Sequence, residues 1–440
     1  MKLLSRARAK EAVKQSIQRP IEPGAALTPA VVRRGLRLSI VEGSLSNIHV
    51  TVCAGAFLTG FALLLGAGDF ELGLIAALPF LGQLFQFVGA YLEERLGERR
   101  RITVISCGVS RSLWALVAAL PFLTVLGMAQ LPIFLLLLAI SQALIGITAN
   151  AWTSWMSDLV PPRQRGRYFG TRNTICSITA MASSWLAGRA LDQYRGSSDE
   201  PVGYALIFGV ATICAIAGVL VLRYQPEPPM RRAKRVSVST LLSAPLRHPG
   251  FRAMSLSAAG WAMAIGIAGP FFNAHGIQNL HLSFATLALF TIVTSGVALI
   301  SQPLVGRLQD RYGDKAVLVG SVIGVILLPW GWVLATPTFW LPLWLNAIGA
   351  GIFWPGITQG QMNMLMDRAP AEGRGAYVAS YGAMTGLGTF IASLLGGAIA
   401  SGLGDTLVHL GPLVLNNYTV LMVASSFGRA AMALVFARRL

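Results

Sequence analysis

The chain has 440 residues, of which 54% are hydrophobic and only 12% are charged, compared with roughly 25% charged residues in a soluble domain. So few charges cannot cover a water-exposed surface of this size. The composition therefore excludes a soluble enzyme, a disordered chain and a fibrous repeat. Because about 20 apolar residues cross a bilayer as a helix, an integral membrane protein of many spans is predicted.

Twelve apolar runs follow one another along the chain, and each is long enough for a helical span. They lie at residues 39–64, 70–92, 102–126, 131–157, 171–190, 203–223, 251–273, 284–306, 316–336, 339–365, 376–401 and 417–437. The predicted fold class is therefore an all-α integral membrane protein with twelve transmembrane helices. The four cysteines lie inside these runs and are expected to pack as small apolar side chains, so no metal site and no cofactor are predicted.

A basic, proline-rich stretch at 224–250 is the only long polar break, and it divides the runs six plus six. The predicted organisation is a basic tail at 1–38, a six-helix half at 39–223, this central loop, and a second six-helix half at 251–437. Lys and Arg concentrate in the tails and in the loops after even-numbered spans, which predicts that both termini are cytoplasmic, in the cell (inner) membrane. The net charge of +17 is then a topology signal that also attracts anionic lipid, and no nucleic-acid binding is expected.

Two loop motifs of the first half recur in the second half. The loop after span 4 begins at Asp158 and contains Arg165, and the loop after span 10 begins at Asp367 and contains Arg374 at the same spacing. The loop after span 2 reads Glu94-Arg95-Leu-Gly97, and its counterpart after span 8 reads Asp310-Arg311-Tyr-Gly313. Two parallel halves with such loops are typical of transporters whose binding site lies between the halves.

These loops resemble the signature loop of the major facilitator superfamily, Gly-x-Leu-x-Asp-Arg-x-Gly-Arg-Lys/Arg. The second copy is the better match, with Gly306, Leu308, Asp310, Arg311, Gly313 and Lys315, whereas the first copy has Ala90 and Glu94 at the first Gly and Asp positions. The resemblance implies twelve helices in two pseudo-symmetric six-helix halves. It also implies a secondary active transporter that moves a small organic solute by alternating access.

In that family the charged loops lock the cytoplasmic ends of the halves together when the site faces outward. The resemblance therefore implies a gating role for the residues of both motifs, although topology-setting charge on wet loops would give the same pattern. The gating candidates are Glu94, Arg95, Gly97, Asp158, Arg165, Gly306, Asp310, Arg311, Gly313, Asp367 and Arg374.

Span 1 carries two ionisable residues that are candidates for proton coupling. His49 lies twelve residues beyond Arg37, which places it roughly 18 Å deep in the bilayer. Glu42 follows the same face of the helix, and an ionisable residue at such depth is usually functional. A hydrogen-bonded interior His49 beside a wet Glu42 is the alternative interpretation.

Two arginines fall inside predicted spans, where each must find a partner. Arg111 lies about 15 Å into span 3, and Glu42 is the acid best placed to meet it. The pair has two interpretations, a structural ion pair that also belongs to the proton-coupling set, or part of a pocket for an anionic substrate. Arg429 lies similarly deep in span 12, and its role is left open.

Family members line their cavity with spans 1, 4, 7 and 10, so amides and aromatic residues of the inner spans become candidates for substrate contacts. They are Gln86, Asn150, Trp152, Trp261, Gln302, Trp354 and Gln359. A lipid-facing position is the alternative for each Trp.

The function predicted from these features is a proton-coupled secondary transporter, not an enzyme, that works as a monomer in the lipid bilayer on a small-molecule substrate. The retained alternatives are a non-transporting sensor or assembly factor of the same fold, and a lipid-moving member of the family. A nucleotide-hydrolysing enzyme is disfavoured because the Gly-x-x-x-x-Gly-Lys-Ser/Thr loop is absent from the sequence.

Overall fold

The computed structural model describes residues 28–229, 249–368, 374–410 and 413–439, and this part of the chain is almost entirely helical. Most of the predicted tail at 1–38 and of the predicted central loop at 224–250 lies outside the described residues. The side chain of Arg374, one of the gating candidates, also lies outside them.

The helices are numbered here in chain order. They are α1 (Pro29–Val52), α2 (Gly55–Leu64), α3 (Asp69–Leu84), α4 (Gln86–Leu96), α5 (Arg99–Ala119), α6 (Gln130–Leu159), α7 (Arg165–Asp192), α8 (Glu200–Arg223), α9 (Pro249–Gly266), α10 (Phe271–Gln278), α11 (Phe284–Tyr312), α12 (Asp314–Ile326), α13 (Leu328–Val333), α14 (Leu341–Arg368), α15 (Arg374–Leu403) and α16 (Asn417–Arg439). Two short antiparallel strands, β1 (Val408–Leu410) and β2 (Leu413–Leu415), pair before α16 with Val408 opposite Leu415. Helices α1–α8 are called the N-terminal helices below, and α9–α16 the C-terminal helices.

Nine helical segments of the described residues are long and apolar enough to cross a membrane, or ten when the bent pair α1–α2 counts as one span. The protein is therefore a multi-pass membrane protein. The predicted spans 5 and 10 correspond to α7 and α14, which are long but are not among these nine segments. Helix α7 begins with Arg165, Arg167 and Arg172, which lower its hydropathy, so the count of twelve spans stays a prediction.

Several predicted spans consist of two helices that meet at a short break. Helices α1 and α2 differ in direction by 42°, and Gly55 at the start of α2 has a φ of +57° that favours glycine. Pro79, Pro303 and Pro355 lie inside α3, α11 and α14, where each removes a backbone hydrogen bond. Such irregularities occur in membrane helices where neighbouring helices satisfy the freed backbone groups.

Most helix contacts are formed within the N-terminal helices or within the C-terminal helices. Helix α1 packs against α7 and α8, and α5 packs against α6 and α8. Helix α9 packs against α15 and α16, while α14 packs against α11 and α12. Two long contacts join the N-terminal to the C-terminal helices, namely α3 with α15 and α7 with α11.

Glycines allow close backbone approach at both of these joining contacts. A Cβ atom on Gly73 of α3 would lie 2.5 Å from the Ser393 carbonyl oxygen of α15. A Cβ atom on Gly188 of α7 would lie 2.8 Å from the Ala285 amide nitrogen of α11. Only glycine fits at these positions without a shift of one helix, as in other tightly packed membrane helices.

An aromatic core fills the bundle near the second of these contacts. The ring of Phe61 meets those of Phe134, Tyr204 and Phe208 edge-on at centroid distances of 5.1 to 5.4 Å. Phe284 of α11 stacks on Phe57 at 6.0 Å, so this core includes side chains from both sets of helices. It packs firmly the end of the bundle that carries the 193–199 and 279–283 loops.

Candidate functional site

The interior of the N-terminal helices contains an ion pair that the sequence predicts. Glu42 and Ser46 lie one turn apart on the buried face of α1, and Arg111 reaches them from α5. Arg111 Nη2 donates to Glu42 Oε1 at 3.3 Å and also to the Ser46 hydroxyl, which in turn donates to Glu42. Arg111 Nη1 donates to the Ala215 carbonyl at 2.9 Å. Glu42 and Arg111 are 4% and 8% exposed, so both charges are buried.

A second arginine, which the sequence analysis missed, approaches the same carboxylate. Arg172 Nη2 lies 3.7 Å from Glu42 Oε2, and Arg172 Nε donates to the Ser39 carbonyl at 3.3 Å. The Arg172 guanidinium also lies 4.7 Å above the ring of Trp152. In the sequence, Arg172 is the second residue of the apolar run 171–190, and a charge at that position is readily assigned to the preceding loop. Two guanidinium groups therefore share one carboxylate.

A cavity of about 230 Å³ opens beside this charge cluster. Its lining residues come from α1, α5, α6, α7 and α8, and they are Glu42, Thr103, Cys107, Arg111, Ile145, Thr148, Ala149, Trp152, Arg172 and Leu222. Trp152 is the one predicted substrate-contact residue in this wall. The cavity thus combines charged, hydroxyl and apolar groups within the N-terminal helices.

The other predicted substrate-contact residues lie elsewhere. Asn150 donates to Glu93 Oε2 at 3.1 Å, and Gln359 Nε2 lies 3.5 Å from the Gln302 carbonyl oxygen. The structure therefore brings Gln359 and Gln302 together on α14 and α11. Trp261 packs against Trp354 with ring centroids 6.4 Å apart, while Gln86 is exposed at the start of α4.

His49 is buried close to the charge cluster but does not line the cavity. Its Nδ1 atom lies 3.4 Å from Cys53 Sγ, and its ring meets the Trp114 ring edge-on at 5.6 Å. His49 is 4% exposed. The structure thus places the two span-1 candidates differently, since Glu42 borders a cavity and His49 packs among side chains.

The first copy of the loop motif forms a network around Arg99. Arg99 Nη1 donates to Asp158 Oδ2 at 2.6 Å, and its Nη2 donates to the Pro228 carbonyl at 2.8 Å. Glu227 accepts from the Arg99 backbone N–H at 2.7 Å. Arg99 is 1% exposed, so this guanidinium is enclosed by α6 and the start of the central loop. We call this end of the bundle the Arg99 end.

Among the gating candidates of this first copy, Asp158 has a partner in the network and the others lie around it. Arg165 donates to the Ser157 carbonyl at 2.6 Å and not to Asp158. Glu94 and Arg95 are exposed on the last turn of α4. Gly97 ends that helix with a φ of +69°, the left-handed conformation that glycine adopts without strain.

The second copy, although the better match to the signature, does not form an equivalent network among the described residues. Asp310, Arg311 and Asp367 are exposed, and the Arg311 guanidinium lies 5.1 Å from the Tyr312 ring. Gly306 lies on α11 and Gly313 has a φ of +82° between α11 and α12. Asp314 accepts from Asn363 Nδ2 at 2.8 Å, which ties α12 to α14.

Polar contacts at the opposite end join the N-terminal to the C-terminal helices, and the sequence analysis missed them. The Asp192 carboxylate accepts from the backbone N–H groups of Phe284 and Ala285 at 2.7 and 2.9 Å. It thereby neutralises the positive N-terminus of α11. Arg195 donates to the carbonyls of Ile277 and Leu282. We call this the Asp192 end.

A second carboxylate makes a similar connection at the Asp192 end. Asp69 of α3 accepts from the Tyr418 hydroxyl at 2.6 Å and from Asn417 Nδ2 at 2.7 Å. The Tyr418 hydroxyl also lies 2.8 Å from Gln278 Oε1. An acid at the end of a span far from the basic loops was the available signal, but its partners are 348 and 349 residues away in sequence.

The helices and the buried charge cluster together define a multi-pass membrane protein with a cavity beside buried charges. A known protein family, several known proteins and several solved structures match this chain. The model of the Major Facilitator Superfamily matches residues 45–359 and 253–438, and the chain belongs to this superfamily. A relative matched over most of the chain is a transporter, and this chain is a transporter of the same superfamily.

The relatives name several different substrates. The citrate-proton symporter of Salmonella typhi is 22% identical over 368 residues, 80% of this chain and 80% of that protein. The class H tetracycline resistance protein of Pasteurella multocida is 35% identical over 112 residues, 25% of this chain and 26% of that protein. Since these matches are distant or short, they leave the subfamily unresolved.

Solved structures agree on the fold. A crystal structure of a mutant nucleoside transporter, NupG, matches with a TM-score of 0.71 at 13% identity and covers 92% of this chain and 100% of that one. The D-xylose-proton symporter matches with a TM-score of 0.68 at 16% identity, covering 92% of this chain and 97% of that one. At such low identity the likeness shows the fold alone.

Proposed function

We propose that the protein is a monomeric secondary active transporter that moves a small organic solute by alternating access between two six-helix halves, coupled to protons. The observation that carries this proposal is the buried cluster of Glu42, Arg111 and Arg172 beside a cavity. Ionisable groups at membrane depth are costly, so they are retained where they bind an ion or a substrate. The relative named as a citrate-proton symporter supports proton coupling.

Glu42 is the group best suited to carry the proton. A carboxylate can accept a proton, whereas an arginine guanidinium stays charged. Glu42 has partners on both oxygens, Arg111 on one and Arg172 on the other. A proton on Glu42 would release both guanidinium groups at once, which gives a physical link between protonation and the state of the cavity wall.

The contacts at the two ends of the bundle support alternating access. At the Asp192 end, Asp69, Asp192 and Arg195 bond across from the N-terminal to the C-terminal helices. At the Arg99 end, Arg99 and Asp158 bond to each other and to the start of the central loop, which belong to the N-terminal side. We take both termini to be cytoplasmic, as the loop charges predict, which places the Arg99 end on the cytoplasmic side of the inner membrane. A bundle that is joined at the Asp192 end is then in the inward-facing state.

Transport into proteoliposomes with an imposed pH gradient tests the proposal. Radiolabelled citrate, D-xylose, uridine and benzoate serve as the panel, and at least one of them is expected to accumulate only when the gradient is present. Glu42→Gln is expected to abolish accumulation and to retain exchange of labelled for unlabelled solute. Arg167→Gln, an exposed residue of α7, is the matched control and is expected to transport normally.

Three results contradict parts of this proposal. Full gradient-driven accumulation by Glu42→Gln would show that Glu42 does not carry the coupling proton. Loss of accumulation in His49→Gln with full activity in Glu42→Gln assigns the proton to His49 instead, as the depth of that residue in span 1 also allows. Equal solute entry with and without a gradient across the panel refutes proton coupling.

A further inference from the structure

The charge cluster in the N-terminal helices carries an excess of positive charge. Glu42 faces Arg111 and Cys107 from α5, and Tyr168, Arg172 and Cys176 from α7. Thiol and phenol groups are ordinarily neutral near pH 7, so two guanidinium charges face one carboxylate. The contact from α8 is a backbone carbonyl, that of Ala215, which carries no formal charge. A buried unpaired charge is unfavourable unless another group neutralises it.

Several hydrogen-bond donors in the same cluster lack an acceptor among the described residues. Arg172 has five N–H donors, yet its one hydrogen bond to a described residue runs from Nε to the Ser39 carbonyl. Its Nη2 contact with Glu42, at 3.7 Å, is longer than a hydrogen bond. The Thr103 hydroxyl is fully buried in the cavity wall and has no hydrogen-bond partner among the described residues. Such groups are ordinarily satisfied by a ligand or by water.

The rest of the wall limits the shape of a ligand. Trp152 supports the Arg172 guanidinium from one side, and Ile145 and Leu222 add apolar surface. The volume of about 230 Å³ is smaller than the 300–1,000 Å³ that is usual for drug-sized ligands. The cavity therefore suits a molecule with one charged group and a small apolar body.

We infer that this cavity binds a small organic monocarboxylate through Arg172 and Arg111. Planar guanidinium groups match the geometry of a carboxylate, and the added negative charge neutralises the excess positive charge of the cluster. The ligand carboxylate competes with Glu42 for Arg172, so protonation of Glu42 favours binding of the anion. This inference deepens the proposed function, on which it rests, because it names the substrate class for the same cluster.

Equilibrium binding of radiolabelled benzoate to the purified full-length protein tests the inference. Benzamide, which has the same shape without the charge, is the ligand control and is expected to compete at least about tenfold more weakly, since a charge-assisted hydrogen bond is lost. Arg172→Gln is expected to weaken benzoate binding by at least about tenfold. Arg172→Lys, which keeps the charge, is expected to retain part of the affinity, and Arg167→Gln all of it.

Each outcome decides the inference. Benzoate binding that depends on its charge and on Arg172 supports it. No benzoate binding, or equal competition by benzamide, overturns it, and this comparison uses only the unmodified protein, so it holds even if Arg172→Gln fails to fold. Binding of inorganic phosphate with the same dependence on Arg172, without binding of benzoate, also overturns it in favour of an inorganic anion.

The transport assay separates failure of the inference from failure of the proposed function. Gradient-driven accumulation of D-xylose or uridine without benzoate binding supports the proposed transport function and refutes a monocarboxylate as the ligand of this cavity. Benzoate binding that depends on Arg172, without transport of any member of the panel, supports the site and refutes the transport mechanism.

Discussion

The link between Asp192 and α11 is expected to control which end of the bundle is closed. Its carboxylate accepts two backbone N–H groups, those of Phe284 and Ala285, across the boundary between the N-terminal and C-terminal helices. Asp192→Asn keeps one acceptor oxygen but loses the negative charge and one acceptor. A hydrogen bond to a charged group contributes about 1.5–3 kcal/mol, and a charge at a helix N-terminus about 0.3–1 kcal/mol.

Partial exposure of Asp192 to solvent favours the lower part of these ranges, so the substitution is expected to cost the closed Asp192 end about 2 kcal/mol. Since about 1.4 kcal/mol is a factor of ten in an equilibrium constant, the ratio of open to closed molecules is expected to rise about 30-fold. The change acts on this equilibrium because the two backbone N–H groups meet the carboxylate only while this end is closed.

Distances between spin labels at Ser198 and Asp405 measure the change, because both residues are exposed and lie on opposite sides of the boundary. The unmodified protein is expected to give one short distance, and Asp192→Asn a second, longer one. Asp199→Asn, an exposed acid of the same loop, is the control and is expected to leave the distribution unchanged. Identical distributions for Asp192→Asn and the unmodified protein would refute the reasoning.

Three further predictions concern the stability of the bundle. Arg99→Ala removes the charge-assisted hydrogen bond to Asp158, whose own carboxylate is about a third exposed, and is expected to lower the free energy of unfolding by about 1.5–3 kcal/mol in a denaturant titration. A loss below about 1 kcal/mol would mean that water replaces the guanidinium. Gly73→Ala is expected to lower the free energy of unfolding by about 1–3 kcal/mol because the new Cβ atom meets a backbone carbonyl oxygen at 2.5 Å. Gly209→Ala, with open space around it, is the control and is expected to keep the melting temperature. Equal melting temperatures of the two variants would contradict the close packing. Trp155→Phe removes an indole N–H that donates to a central-loop carbonyl at 2.9 Å, and it is expected to lower the free energy of unfolding by about 1 kcal/mol. The variant is also expected to be cleaved faster in the central loop by trypsin. Unchanged cleavage would contradict a role of this hydrogen bond in holding the loop.

The span-1 charges show how far sequence reasoning reaches in a membrane protein. Counting residues from the last loop charge gave the depth of Arg111, and the expectation that a buried arginine needs a partner gave the pair with Glu42 that the structure contains. Arg172 escaped because the same counting places it at the membrane edge. Its side chain reaches Glu42 because α7 packs directly against α1, and packing of this kind has no local signal.

The loop motifs show the opposite limit. The second copy agrees better with the family signature, yet among the described residues it is the first copy that pairs a buried arginine, Arg99, with an acid. Arg99 is enclosed because Glu227 and Pro228 of the central loop fold over it. No pattern within the motif encodes that contact, since its partners are 128 and 129 residues away in sequence.

The contacts at the Asp192 end could not be predicted for a different reason. Asp192 binds backbone N–H groups of α11, and any residue other than proline supplies such a group. The chemistry of the partner therefore leaves no trace in the sequence of α11. The helix that Gly73 or Gly188 meets is likewise a property of the assembled bundle, which the sequence around each glycine does not encode.

The pairing of Glu42 with Arg111 also has a consequence for the order in which the protein is made. The two residues are 69 positions apart, so at about 5–20 residues per second Glu42 leaves the ribosome roughly 3 to 14 seconds before its partner. During that interval the acid has no guanidinium beside it, and a neutral, protonated carboxyl enters a bilayer more readily than a carboxylate. Arg172 follows later still. Helix α1 is thus made before the two arginines that face Glu42, and translation of α5 and α7 supplies them. Loss of either arginine is therefore expected to change the assembly of α1 with its neighbours as well as the finished protein.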